Sequence, residues 1–363
     1  MKKGKSWILV PAILLVLVLL AVGAAWAGFR HYSSKLNYVA LEEQAPVIVT
    51  APPEETPPVS EEELAQLEDA DQKLAANLET PAETPDNGPD VMNILLIGVD
   101  NDKLATMNML GNADGEVILS INRKTKEIVM TSIMRDLYVS IPNAFNTKIT
   151  LAYHHGGTAT LIDTVEANLG VKIDNYILVN YINVTDIVDA MGGVDMELSE
   201  TEIYYMRKKI DNICHLLNLN PADYYLHENQ AGMNHLNGVQ TAAYLRVRSA
   251  EINGVTNDYG RTERARKVLS LLIEKASGMK LTELDAAADT ILPCITTDLS
   301  QSQLLDLVVK APQYLKYRVV SQRIPVDGTF YGANFYGSVL VMDPEANRQF
   351  LQRSIYEGIH DAS

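Results

Sequence analysis

An uncharged apolar run from Trp7 to Phe29, entered through Lys2, Lys3 and Lys5 and closed by Arg30 and His31, constrains this chain more than any other feature. At about 1.5 Å of rise per residue, a helix of that length crosses a hydrocarbon core of roughly 30 Å. The lysines in front of it keep the N-terminus inside and send everything after it outside. Trp7 and Trp26 stand near the two ends, where amphipathic rings settle at the lipid–water interface. Ala25-Trp26-Ala27 also has the small-x-small form of a cleavage site, so a removed leader is the rival of a retained anchor; the length of the run favours the anchor. Both readings export the rest of the chain. The expected organisation is a cytoplasmic stub over 1–6, a single-pass anchor in the cell membrane over 7–29, an extracytoplasmic linker over 30–90 and a folded domain over 91–363.

From Glu42 to Asp90 the chain turns to Pro, Glu, Thr and Ala, a composition that buries too little apolar surface to offset chain entropy. One island reads as helix: Ser60 can cap Glu61 to Leu78, with Glu63 in capping-box position. The stretch as a whole reads as a solvated spacer that holds the folded part away from the bilayer.

The folded part opens with Asn93 to Asp100 (NILLIGVD), a nearly continuous apolar run suited to a buried strand. Glu116 to Asn122 and Glu127 to Ile133 flank a turn and predict a hairpin, followed by an extended segment over Leu137 to Ile141. Helical spacing recurs over Thr158 to Leu169, Val184 to Met191, Gly238 to Leu245, Thr262 to Ser277, Ser302 to Ala311 and Pro344 to Tyr356. Strands are expected at Tyr176 to Tyr181, Val194 to Leu198, Tyr317 to Ile324 and Ser338 to Met342. Interleaved strands and helices predict a single mixed α/β (α+β) domain, a central mixed sheet flanked by helices, preceded by the one N-terminal transmembrane helix.

A formal charge of −16 argues against a nucleic-acid partner, which requires a basic face. Within this acidic chain, Arg246, Arg248, Arg261, Arg264 and Arg266 crowd together around Asp258. Guanidinium forks match phosphate oxygens two at a time, and several can hold a pyrophosphate; an ordinary charged surface paired with Glu251 and Glu263 is the alternative. An extended segment would put 246 and 248 on one face, and a helix start would do the same for 261 and 264. Asp100, Asp102 and Asp114 fall at the ends of neighbouring strands, where carboxylates either form turns or hold a hard cation such as Mg²⁺. His154-His155 lacks a third ligand at chelating spacing and reads as surface or packing. Gly192-Gly193 follows a helix and reads as its C-cap. Cys214 and Cys294 are either one bridge or two free thiols.

In order, NILLIGVD (93–100), an Asp before a strand (114), SIMRDLYVSIP (132–142), DAMGGVDMEL (189–198), LNGVQTAAYLRVR (236–248) and DYGRTERARKVL (258–269) resemble the catalytic domain of the LytR-CpsA-Psr family from about Val91 to the C-terminus. The resemblance implies that Asp100 and Asp114 bind Mg²⁺. It implies that Arg135, Arg246, Arg248, Arg261 and Arg264 contact the pyrophosphate of a polyprenyl carrier, with Arg135 also in the catalytic set. It places Asp258 or Asp136 to orient the arginines or activate the acceptor. Asn112 and Ala265 depart from the family pattern, which has Arg and Gln there; Arg266 or Lys267 could compensate. The implied activity is transfer of a glycopolymer (teichoic acid, capsule or another wall polysaccharide) from polyprenyl pyrophosphate to peptidoglycan, as a phosphodiester. The same residues also suit a polymer-binding member without turnover, which the two departures favour, or a polyprenyl pyrophosphate hydrolase.

Overall fold

The computed structural model describes residues 35–41, 60–79, 85–100, 111–180, 182–227, 230–314, 316–335 and 337–360; the side chains of Asp100 and Asp258 are outside that description. The expected anchor over 7–29 also lies outside it, and among the described residues no helix is long and apolar enough to cross a membrane. Contacts group the chain into two compact units. The first is built from Val39–Asp100, Met107–Ile177 and Val320–Ser363; the second from Met1–Tyr38, Asn101–Thr106 and Leu178–Val319.

β1 (Asn37–Tyr38) belongs to the second unit and α1 (Glu61–Glu79) to the first. α1 begins as the sequence predicts, with the Ser60 hydroxyl accepting from the Glu63 amide at 3.1 Å and the Glu63 carboxylate accepting from the Ser60 amide at 3.2 Å. The expectation that the whole stretch before Val91 is unpartnered does not hold for this helix. Ala70 and Leu74 are buried in a cluster with Tyr138, Phe335, Val339 and Val341. Asp71 accepts from Tyr138 and Asn146, and Asp69 from Tyr331. The helix is acidic on the outside but carries enough small and apolar residues on one side to cover the domain.

β2 (Val91–Asp100), β3 (Asn112–Asn122) and β4 (Glu127–Ile133) form an antiparallel meander. Asn122 closes its second turn by accepting from the amides of Lys124 and Thr125. Every residue of β4 is buried, so the strand is covered on both faces. A small hairpin follows, β5 (Tyr138–Ser140) on β6 (Asn146–Lys148), and then α2 (Thr150–Leu169). α2 starts eight residues earlier than the spacing predicts, because its first turn is separated from the rest by a break at Gly156 and Gly157, the latter at φ +71°.

Through β7 (Asn175–Asn180) the chain passes into the second unit: α3 (Asn183–Ala190), β8 (Val194–Leu198), α4 (Glu200–Leu217), β9 (Gly232–Leu236), α5 (Gly238–Leu245), α6 (Asn257–Gly278), α7 (Leu281–Ile291), β10 (Ile295–Thr297) and α8 (Gln301–Tyr314). β9 pairs antiparallel with β8, and β1 pairs in parallel with β10. The chain then returns to the first unit through β11 (Arg318–Ile324), the hairpin β12 (Phe330–Asn334) and β13 (Ser338–Met342), and α9 (Pro344–Gln352), which ends in a wide turn over Arg353–Glu357. Within the first unit β11 flanks β4 and β7 flanks β2. Parallel and antiparallel pairing both occur, and helices flank the strands, so the fold is mixed α/β. Both cysteines are free thiols.

Candidate functional site

In the first unit the chemistry gathers where β2 and β3 lose register. Gly98 pairs with Gly115 and Val99 with Ala113, which leaves Asp114 as the extra residue of a β-bulge. A bulge bends the strand and re-aims the side chain it carries. Asp100 sits at the end of the paired strand, its backbone opposite Asn112. The segment leaving β4 brings up Arg135 and Asp136.

Arg135 Nη1 lies 2.8 Å from Asp114 Oδ1, and its Nε lies 3.7 Å from Asp136 Oδ1. Two residues that the sequence reading missed complete the cluster. Lys148 Nζ stands 4.0 Å from Asp136, and the Thr150 hydroxyl lies 2.6 Å from the Ala113 carbonyl and 3.3 Å from Asp114 Oδ1. Backbone bonds fix them there: the Thr150 amide donates to Arg135, and the Ile149 amide to Leu137. Glu116, 1 % exposed and two residues along β3 from Asp114, is a further acid the sequence did not flag. The pairing of Ile149 and Thr150 with the Arg135 segment is tertiary and leaves no trace in spacing. The cluster can do two things. The side chains of Asp114, Arg135, Asp136 and Lys148 remain 17–22 % accessible, so the guanidinium and ammonium groups are open to a phosphate oxygen. The described carboxylates there, Asp114 and Asp136, are hard oxygen donors of the kind that Mg²⁺ takes, and no group of three or more metal-ligating side chains occurs among the described residues.

In the second unit, α5 ends at Leu245, and Arg246, Val247 and Arg248 leave it with Val247 fully buried between a half-buried and an exposed arginine. Arg246 keeps a helical backbone as the C-cap of α5, so the extended segment expected to put 246 and 248 on one face does not begin there. A turn through Asn253 and Gly254, both at positive φ, leads into α6, and the Asn257 amide ties the loop by donating to the Arg248 carbonyl at 2.8 Å. Arg261 is half-buried on the first turns of α6, where Asp258 also stands.

Arg264 corrects the expectation. It is 0 % exposed, and its guanidinium donates to the carbonyls of Val247 at 3.2 Å and Ala250 at 2.9 Å and pairs with Glu202 at 3.1 Å. Buried and committed on several donors, it holds the loop that displays Arg246 and Arg248 and does not itself reach a ligand. Glu202 in turn caps α4 with Ser199, an element the sequence reading missed although Ser199-x-x-Glu202 is a capping box. The compensating cations are also engaged: Arg266 pairs with Glu263, and Lys267 donates to the Glu197 carbonyl at 2.8 Å while burial pulls its pKa down.

His155 is buried edge-on to Phe145, and burial, with His154 secondary, lowers its pKa; His154 is exposed. Gly192 and Gly193, both at φ +74°, end α3 as the sequence suggests, and Lys275 donates to both of their carbonyls.

The sequence model of the LytR_cpsA_psr family matches residues 60–353, which takes in α1 as well as the domain expected from Val91. The chain is 25% identical over 270 residues to the polyisoprenyl-teichoic acid–peptidoglycan teichoic acid transferase TagV of Bacillus subtilis (strain 168), covering 73% of this chain and 64% of TagV. It thus spans less than two thirds of that relative's length. It is 32% identical over 242 residues to TagU of Bacillus anthracis, a protein of the same description, covering 65% of this chain and 70% of that one. Among solved structures, TagT bound to LI-WTA superposes with a TM-score of 0.56 at 25% identity, over 77% of this chain and 96% of that one.

Proposed function

The chain belongs to the LytR-CpsA-Psr family, and from that membership we propose that it transfers a glycopolymer from polyprenyl pyrophosphate to peptidoglycan on the outer side of the cell membrane. The observation that carries the proposal is the cluster on the bulge of β3, where Asp114, Arg135 and Asp136 meet with accessible side chains. The relatives' names, teichoic acid transferases acting on a polyisoprenyl-linked polymer, support the substrate class.

Phosphoryl transfer of this kind needs positioning and charge stabilisation, and no covalent nucleophile from the protein. Arg135 would hold a phosphate oxygen through the donors left after its pairing with Asp114. Arg246, Arg248 and Arg261 would supply further guanidinium forks, with Arg264 and Glu202 keeping their loop in place. Asp136 or Asp258 would accept the proton of the attacking peptidoglycan hydroxyl. Mg²⁺ on Asp100 and Asp114 would supply neutralisation of charge on the phosphate oxygens. The run over 7–29 would anchor the enzyme on the surface where its lipid substrate lies.

A second reading, binding of lipid-linked polymer without turnover, is favoured by Asn112 and Ala265. The deciding experiment incubates the full chain in detergent with a lipid-pyrophosphate-linked glycan, a peptidoglycan fragment and Mg²⁺, and follows the phosphodiester product by mass spectrometry. Product that is lost in Asp114→Ala and Arg246→Ala supports transfer. Lipid binding without product puts the second reading first.

A further inference from the structure

The second unit takes hold of the chain almost as soon as the membrane-spanning run ends. Lys35 Nζ pairs with Asp289 of α7 at 2.6 Å, Asn37 Nδ2 donates to the Pro293 carbonyl at 3.0 Å, and Asn37 and Tyr38 pair in parallel with Thr296 and Thr297. In the sequence, residues 30–34 alone separate Phe29 from Lys35. Six steps of at most ~3.6 Å reach roughly 20 Å, so this end of the second unit is confined to the neighbourhood of the headgroup layer. The Pro-rich stretch that follows β1 lies downstream of that attachment. On the anchored reading of residues 7–29, its length does not set the height of the second unit above the bilayer.

The surface at this point suits such a neighbour. Tyr38 is 55 % exposed, and with Leu36, Leu299, Ser300, Gln301 and Leu304 it lines an apolar cavity of about 300 Å³. A tyrosine beside an apolar recess is the side chain that partitions to the lipid–water boundary. Arg30 of the intervening sequence adds positive charge in an otherwise acidic chain, which favours anionic headgroups.

We propose that the β1 edge of the second unit, with Tyr38 outermost, docks on the bilayer surface. The proposal rests on the anchored reading of residues 7–29. Full-length protein is reconstituted in phosphatidylethanolamine–phosphatidylglycerol vesicles, in a Cys294→Ser background; Cys214 is buried and does not react. An environment-sensitive fluorophore is placed at Tyr38→Cys or, as a reference in the same unit, at Met233→Cys, which is 73 % exposed. Lipids spin-labelled near the headgroup are expected to quench position 38 at least twofold more than position 233, with a blue-shifted emission at 38 alone. A 20-residue Gly/Ser insertion within 42–59 should leave that difference unchanged. Protein that floats with vesicles while the two positions are quenched alike overturns the docking surface and leaves the anchor standing. Protein that does not float overturns both.

Discussion

Arg135 and Arg264 make the same bond, guanidinium to carboxylate, and put it to opposite uses. Around Arg135 the side chains of the pair keep 17 % and 18 % of their surface in solvent. Around Arg264 the figures are 0 % and 6 %, and both Nη atoms also serve main-chain carbonyls. A cation with spare donors and a path to solvent can take a phosphate; one whose donors are sealed in the interior becomes part of the scaffold. The distinction is one of access, since the charges and distances are nearly the same.

Substitutions can break this comparison from its strongest side first. Arg264→Met leaves Glu202 buried without its cation and should cost about 3–5 kcal/mol of stability in denaturant unfolding. Adding Glu202→Met should recover most of that loss, short of about 1 kcal/mol for the Ser199 capping box. If the single variant unfolds no more easily than the parent, the scaffold role is wrong. Arg135→Ala should do the reverse, lowering turnover by about 10²–10³ while stability moves by no more than about 1 kcal/mol. Arg248→Ala, on the exposed side of the loop, should weaken binding of farnesyl pyrophosphate by about 1.5–3 kcal/mol in titration calorimetry and leave the unfolding midpoint unchanged. The smallest effect sharpens the contrast with a buried base that has no hydrogen-bond partner among the described residues. Neither ring nitrogen of His155 is hydrogen-bonded among the described residues, and burial depresses its pKa. The unfolded chain therefore binds the extra proton, so stability should decline as pH falls through about 6.5. His155→Phe should flatten that slope in urea unfolding followed between pH 7 and 5.

How far the sequence could be read follows the same divide. The runs that became β2, β3 and β4 were legible because continuous apolar stretches bounded by polar turns have few other solutions, and Val194–Leu198 and Gly238–Leu245 fell at their expected bounds. Asp114, Arg135 and Asp136 were legible as candidates from local pattern. What pattern could not supply was which way a side chain faces. Arg261 and Arg264 share a helix face to within a fraction of a turn, yet the latter is sealed inside, because packing against α4 and the 246–250 loop decides it. Lys148, Thr150 and Glu116 were invisible for a related reason: they join the site through backbone pairing and through a bulge that only strand register reveals. The docking of α1 was hidden by composition, since a helix that is acidic overall still needs only Ala70, Leu74 and a few polar contacts to seat itself.

The return of the chain at β11 has a consequence for biogenesis. The first unit draws its outer strand β11, the β12–β13 hairpin and α9 from the last stretch of the polypeptide, whereas the second unit is almost wholly continuous from Leu178 to Val319. During synthesis from the N-terminal end, the second unit has nearly its full complement of chain while the first still lacks the strand beside β4. The bulge bearing Asp114 is therefore made early and secured late, and a protein cut short before Val320 would emerge with β4, buried along its whole length in the finished fold, lacking its neighbour, a substrate for quality-control proteases.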